Sequence, residues 1–112
     1  MSSQHPLTKD IRLIDVMAAL VDPIRCGVVR CLYDGREYGW GDISAPVAKS
    51  TLSHHMKVLR RSGLTMTREE GTRCFVKLRI GDLESRFPGF LSAFIASAEL
   101  DDVGSQVSMH RT

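Results

Sequence analysis

The hydrophobic period of this 112-residue chain changes at Gly63. Before Gly63 the apolar residues recur at helical spacing, and after it they alternate with polar residues over 64–69 and 73–80. The first pattern is typical of amphipathic helices, and the second is typical of paired strands. A chain that passes from several helices into one hairpin is expected to fold as a mainly α protein with a small β-hairpin.

Turn signals divide the chain before Gly63 into four predicted helices. Asp22 is a good capping residue, and Pro23 suits the first position of the second helix. Gly63 can adopt the left-handed conformation that ends the fourth helix. The first helix carries an apolar repeat of Leu13, Ile14, Met17, Leu20 and Val21. The expected bounds are 8–20, 23–33, 43–48 and 50–62.

A hairpin and a last helix complete the predicted order of elements. The hairpin turns at 70–72, and the last helix occupies about 90–100. Two helices joined by a turn and followed by a hairpin describe a winged helix-turn-helix, with a recognition helix at 50–62 and a wing at 65–79. We expect one domain over 1–112, with flexible tails at 1–7 and 101–112.

Composition excludes several classes of protein. An apolar fraction of 43% is ordinary for a globular chain. Three cysteines are too few for a secreted disulfide framework, and no apolar run approaches the roughly 20 residues that span a membrane. We therefore expect a cytoplasmic protein with no membrane partner. The sequence suggests no nucleophile with a base and no phosphate loop, so we predict neither catalytic residues nor a cofactor.

The predicted helix at 50–62 separates its apolar and polar residues. Leu52, Met56 and Leu59 fall on one side. Every side chain on the opposite side can donate a hydrogen bond, and no acidic residue occurs from Lys49 to Gly63. This asymmetry favours contact with DNA phosphates, although a solvated face on a protein that binds no DNA is the alternative. The candidate DNA-contacting residues are Ser50, Thr51, Ser53, His54, Lys57, Arg60 and Arg61.

Position along the helix separates two kinds of contact. Residues in the first turns of a recognition helix meet base edges, whereas Lys57 and the arginines further along reach backbone phosphate. His55 lies beside Leu59 and is interpreted as a structural residue. In the wing, Arg73 is a candidate and Arg68 a weaker one, because Glu69 and Glu70 repel the DNA backbone.

Three stretches of the sequence resemble the arsenic-repressor (ArsR/SmtB) family of bacterial regulators. They are Ala-Leu-Val-Asp-Pro-Ile-Arg at 19–25, the run Lys-Ser-Thr-Leu-Ser-His-His-Met-Lys-Val-Leu-Arg-Arg-Ser-Gly-Leu at 49–64, and the hairpin at 68–78. The likeness covers about residues 8–100. It implies a repressor that binds an imperfect palindrome in double-stranded DNA and is released by an effector.

The resemblance also implies a homodimer formed through the first and last helices. The last helical region supports this expectation, since its wide apolar stripe should be covered by something. The candidate interface residues are Phe87, Phe90, Leu91, Phe94 and Ile95.

The effector stays open because the metal ligands of the family are missing. No Cys-x-Cys pair occurs at 41–48, and 90–98 offers no ligand, so we predict no metal site. A thiol-redox or soft-metal sensor using Cys26, Cys31 or Cys74 is the main alternative, and a winged helix that binds a protein is a remote one. The glycine-rich loop with Tyr38 and Trp40 could line a small-molecule site, but loop packing is the favoured interpretation.

Overall fold

A computed structural model of the chain describes residues 5–110 and confirms the winged helix-turn-helix. The helices are α1 (Leu13–Leu20), α2 (Pro23–Leu32), α3 (Lys49–Ser62), α4 (Ile80–Arg86) and α5 (Phe90–Leu100). The strands are β1 (Tyr38–Gly39), β2 (Ile43–Ser44), β3 (Thr65–Glu70), β4 (Arg73–Leu78) and β5 (Ser108–Met109). None of the helices in this part of the chain has the length and apolar character needed to cross a membrane.

The first predicted helix is divided in the structure. A 3₁₀ turn covers Thr8–Asp10, and α1 begins only at Leu13. Between them Ile11 is extended and buried against the end of α3. A Cβ on Gly63 would lie 2.6 Å from the Cγ1 of Ile11, and Gly63 has φ +93. Gly63 therefore both ends α3 and admits Ile11 to the core.

The predicted start of α2 is confirmed. The Oδ1 of Asp22 accepts from the backbone N–H groups of Ile24 at 2.8 Å and Arg25 at 3.1 Å, and Pro23 follows the cap. Val28, Val29 and Leu32 have no measurable exposure. α2 is thus the central helix, against which α1 and α3 pack.

The short helix predicted at 43–48 is wrong. Residues Ile43 and Ser44 form β2, which pairs antiparallel with β5. Pro46 has no N–H to donate, and the N–H of Val47 bonds to the carbonyl of Ala45 at 2.8 Å. The first helix of the helix-turn-helix is reduced to a 3₁₀ turn at Trp40–Asp42.

The segment at 101–110 is packed on α2 rather than loose, contrary to the flexible tail predicted at 101–112. Val107 is buried, and a Cβ on Gly27 would lie 2.5 Å from the carbonyl oxygen of Gly104. The N–H of His110 donates to the carbonyl of Asp42 at 2.7 Å. The absence of a side chain at Gly27 allows this close approach.

The start of the described chain is also held by hydrogen bonds. The Nε2 of His5 accepts from the backbone N–H of Thr67 at 3.0 Å, and the carbonyl of Pro6 accepts from Arg79 at 2.9 Å. These bonds tie part of the tail predicted at 1–7 to the base of the wing. Residues 1–4 and 111–112 of the two predicted tails lie outside the described residues.

The wing is the antiparallel pair of β3 and β4, with β1 on the other side of β4. Its register runs from Thr65 opposite Leu78 to Glu70 opposite Arg73. The loop is therefore two residues long, one fewer than predicted, and begins with Gly71 at φ +62. A positive φ at that position suits the turn that matches the twist of a hairpin.

Candidate nucleic-acid interface

The packing of α3 decides which of its side chains face outward. Met56 and Leu59 are fully buried against α1 and α2. Of the seven predicted DNA-contacting residues in this helix, Ser50, Thr51, His54, Lys57 and Arg61 are exposed, while Ser53 and Arg60 are half-buried. The predicted polar face is thus a real outer surface that carries no carboxylate of its own.

The helix begins one residue earlier than predicted, at Lys49. Ala48 occupies the N-cap position, and no side chain caps the first turn. The first N–H groups of α3 therefore keep their capacity to donate, at the positive end of a 14-residue helix. Lys49 is exposed beside them and was not among the predicted site residues.

His55 holds the buried side of α3. It is 8% exposed, and its Nδ1 lies 3.0 Å from the Nη1 of Arg25, which donates to it. The Nε of Arg25 donates to the carbonyl of Ala19 at 2.7 Å, so one guanidinium joins α1, α2 and α3. Burial lowers the pKa of His55, Asp22 opposes that shift, and Arg25 adds to it. The predicted structural role of His55 agrees with this geometry.

Arg60 differs from the other cations of α3. It is half-buried near the start of the described chain, where its charge contributes to lowering the pKa of His5, after burial and together with Arg79. Arg61 points instead to an open cleft beside Asp15 and Arg25. Lys57 and Arg61 are therefore the exposed cations of α3 beyond its first turn.

The two arginines of the wing have different surroundings. The Nε and Nη2 of Arg68 donate to the carboxylate of Glu37 at 3.1 and 2.8 Å, and its Nη1 donates to Glu70 at 2.7 Å. The hydrogen bond from Arg68 lowers the pKa of Glu37. Arg73 lies over the ring of Phe75, 4.7 Å from its centroid. It has no carboxylate partner within residues 5–110.

The sequence analysis ranked Arg73 above Arg68 as a DNA contact, and of the two only Arg68 forms ion pairs within residues 5–110. The sequence analysis identified Glu69 and Glu70 as charges that repel the DNA backbone. It did not identify Glu37, the stronger partner of Arg68. Glu37 lies 31 residues earlier, in a loop with no periodic pattern. The only available signal was its acidic character next to a glycine-rich segment.

The predicted dimer residues fall into two groups. Leu91 and Ile95 are 3% and 4% exposed and belong to the core of their own chain. Phe87, Phe90 and Phe94 are half-buried, and the last two rings stack with centroids 6.2 Å apart. Only the three phenylalanines leave apolar surface for a partner.

A second group of exposed apolar residues lies along α1 and at its C-cap, Val21. This helix turns Val16, Ala19 and Leu20 inward. Ile14 is 67% exposed, and Val21 is 78% exposed. With Leu13 and Met17, which are also exposed, they form an outer apolar face, defined as Leu13, Ile14, Met17 and Val21.

Two of the three cysteines, Cys26 and Cys31, form hydrogen bonds to the C-terminal segment. The thiol of buried Cys26 donates to the carbonyl of Val103 at 3.8 Å, and that of Cys31 donates to Val107 at 3.5 Å. Burial raises the pKa of both thiols. Cys74 is half-buried on β4. Over the described range 5–110, no three metal-ligating side chains come together.

The fold has α2 at its centre, α3 held on its buried side by His55 and presenting hydrogen-bond donors on its outer side, and a two-stranded wing. These features define a winged helix-turn-helix protein. Over 79 residues the chain is 37% identical to YceK of Bacillus subtilis (strain 168), which is named as an uncharacterized HTH-type transcriptional regulator. The alignment covers 68% of this chain and 79% of that relative. The chain belongs to the HTH-type transcriptional regulators. A scan against models of protein families finds no match.

Proposed function

We propose that this regulator is a homodimeric repressor of the ArsR/SmtB type, which binds an operator in double-stranded DNA and leaves it when an effector binds. The observation that carries the proposal is the surface of α3. Its inner face is fixed in the core through Met56, Leu59 and His55, and its outer face presents hydrogen-bond donors and cations without a carboxylate. Such a surface attracts phosphates and can approach a groove closely.

The proposed contacts follow the position of each residue along α3. Short polar side chains near its N-terminus read base edges, and the exposed cations further along bind backbone phosphate. The proposed reading residues are Ser50, Thr51, Ser53 and His54, and the phosphate contacts are Lys57 and Arg61, with Arg60 at the edge. Arg73 contributes from the wing, because it forms no ion pair with a carboxylate of the described chain.

Dimerisation is proposed through the outer apolar face of α1 together with Phe87, Phe90 and Phe94. Three exposed apolar residues on the eight-residue α1 and a fourth at its C-cap cost free energy in water, and a second copy of the chain would cover them. A two-fold dimer also presents two α3 helices to half-sites about 34 Å apart, which matches a palindromic operator.

The alternatives have weaker support. A thiol switch requires an accessible thiolate, whereas the pKa of Cys26 and of Cys31 is raised by burial. A winged helix that binds a protein instead of DNA does not explain an acid-free α3. Transcriptional regulators are normally not enzymes, and we propose no catalytic activity.

Fluorescence anisotropy tests this proposal. The full chain is titrated onto a labelled duplex from its own promoter and onto a scrambled duplex of equal length, each at two salt concentrations. We expect tighter binding to the promoter, weaker binding at higher salt, and no change with reductant and chelator. Loss of binding with oxidant or Zn(II) would favour the cysteine switch. No salt-dependent binding under any condition would overturn the proposal.

A further inference from the structure

A cavity of about 330 Å³ lies between the 3₁₀ turn at Trp40–Asp42 and the beginning of α3. Its lining residues are Trp40, Gly41, Ile43, Lys49, Leu52 and Ser53. Lys49, Leu52 and Ser53 are spaced three and four residues apart, so they share one face of α3. The volume falls at the lower end of the roughly 300–1,000 Å³ typical of small-molecule sites.

The walls of this cavity are mainly apolar. The indole of Trp40, Ile43 and Leu52 supply the apolar part. The Nε1 of Trp40 is buried and has no hydrogen-bond partner in the described part of the chain. Because this nitrogen has almost no accessible surface, it is not a contact for a ligand in the cavity, whose walls favour an apolar body.

The charge beside the cavity is positive. The exposed ammonium of Lys49 forms no ion pair within residues 5–110. It stands at the N-terminus of α3, where the first N–H groups have no side-chain cap and the helix dipole is positive. An ammonium and a helix N-terminus together favour an anion, whereas the apolar walls favour a hydrocarbon body.

We infer that this cavity binds a small organic carboxylate with an aromatic or branched body. The carboxylate lies beside Lys49 at the beginning of α3, and the hydrocarbon part packs against Trp40, Ile43 and Leu52. Gly41, which has no side chain, limits the cavity on the remaining side.

Binding at this place opposes DNA binding, a consequence that rests on the proposed function. Ser53 is one of the proposed base-reading residues, and Lys49 lies at the end of α3 that approaches DNA. A bound carboxylate neutralises Lys49 and brings a negative charge towards the phosphates. The carboxylate is therefore the effector that releases the operator.

Trp40 is the sole tryptophan of the chain, so its emission reports directly on the cavity. The full chain is titrated with benzoate, with benzyl alcohol as the uncharged match, and with acetate as the match without a ring. N-acetyltryptophanamide measures collisional quenching. We expect benzoate to change the tryptophan emission saturably. Benzyl alcohol and acetate should each bind with an affinity about tenfold lower than that of benzoate.

Variants of two lysines distinguish recognition of the ligand's carboxylate from recognition of its ring. Lys49→Gln should weaken benzoate binding about fivefold and leave benzyl alcohol unchanged. Lys57→Gln, an exposed lysine of the same helix outside the cavity, should bind benzoate like the parent. Quenching that rises linearly, as for N-acetyltryptophanamide, would overturn the site. Equal benzoate affinity for Lys49→Gln and the parent would overturn the carboxylate assignment.

The DNA arm of the experiment uses anisotropy on the promoter duplex with and without saturating benzoate. We expect benzoate to weaken promoter binding by the parent and to weaken it less for Lys49→Gln. Saturable tryptophan quenching without any DNA binding would leave the site standing and overturn the proposed repressor. If benzoate quenches the tryptophan saturably but leaves the affinity for DNA unchanged, only the effector role would be overturned.

Discussion

Arg25 and His55 are joined by a hydrogen bond of 3.0 Å from Nη1 to Nδ1. Because Nδ1 accepts this bond, the proton of the neutral imidazole lies on Nε2, which faces a carboxylate oxygen of Asp22 at 3.8 Å. The residue that caps α2 and the residue that anchors α3 are thus connected through one arginine. The orientation of the outward face of α3 depends on this contact.

Acid should destabilise the fold through His55. Its pKa in the folded chain lies below the ordinary value of 6.5, mainly because of burial. The unfolded chain therefore takes up a proton first as the pH falls. The stability that His55 contributes as a neutral residue is fully present above pH 6.5. It is lost as the pH falls through that value towards the lower pKa of the folded state. His5, whose pKa is also lowered by burial, adds in the same direction.

Urea unfolding between about pH 7.5 and about pH 5.5 measures this dependence. The His55→Gln variant should lose less unfolding free energy over that range than the parent does. The control is His54→Gln, a substitution of the exposed neighbouring residue, which should lose as much unfolding free energy as the parent. A His55→Gln variant with the parental pH dependence would show that the acid sensitivity arises elsewhere.

Gly27→Ala should loosen the C-terminal segment from α2. The added methyl group would meet the carbonyl oxygen of Gly104 at 2.5 Å and the Cγ2 of Val107 at 2.6 Å. We expect a loss of about 1–3 kcal/mol in unfolding free energy, together with faster proteolysis after Gly104. Gly81→Ala is the matched control, since its Cβ meets nothing within 4 Å. Equal stability of the two variants would contradict the packing described for Gly27.

Glu37→Gln should strengthen DNA binding. The substitution removes the carboxylate that engages the Nε and Nη2 of Arg68, so these two donors become available to phosphate while Nη1 stays with Glu70. In the anisotropy assay, we expect higher affinity for promoter and scrambled duplexes alike, and a salt slope steeper by about one unit. Arg73→Gln should change the slope by a similar amount in the opposite direction. A parental slope for Glu37→Gln would mean that Arg68 gains no phosphate contact when Glu37 is removed.

Ile14→Glu should separate the proposed dimer. A carboxylate in the centre of the outer apolar face of α1 cannot be buried without a large desolvation cost. Sedimentation at several concentrations should show a monomer with weak promoter affinity, and Phe94→Glu should behave similarly. Met66→Glu, at an exposed apolar residue of β3, should sediment like the parent. A dimeric Ile14→Glu variant would exclude α1 from the interface.

The elements that sequence reasoning predicted well are those set by local chemistry. The Asp22 cap, the left-handed Gly63 and the alternating residues of the wing each act within a few positions, so their patterns are visible in the sequence. The outward face of α3 was predicted for the same reason, because its buried and exposed residues follow the helical period.

The features that were missed depend on partners far along the chain. Ile43 and Ser44 were assigned to a helix because their strand partners, Ser108 and Met109, lie in a polar segment without a strand pattern. Of the apolar repeat predicted for the first helix, only Leu20 faces inward, because α1 packs on the core through Val16, Ala19 and Leu20. The contact of Glu37 with Arg68 joins two surface residues, and no hydrophobic period marks such a pair.

The pairing of β2 with β5 has a consequence for how the protein is made. During synthesis, Ile43 and Ser44 emerge from the ribosome together with the helices of the motif, but their partner strand is translated only after α5. The stretch that leads into α3 therefore remains an open strand edge for most of translation. This order makes the DNA-binding motif one of the last parts of the chain to reach its final form.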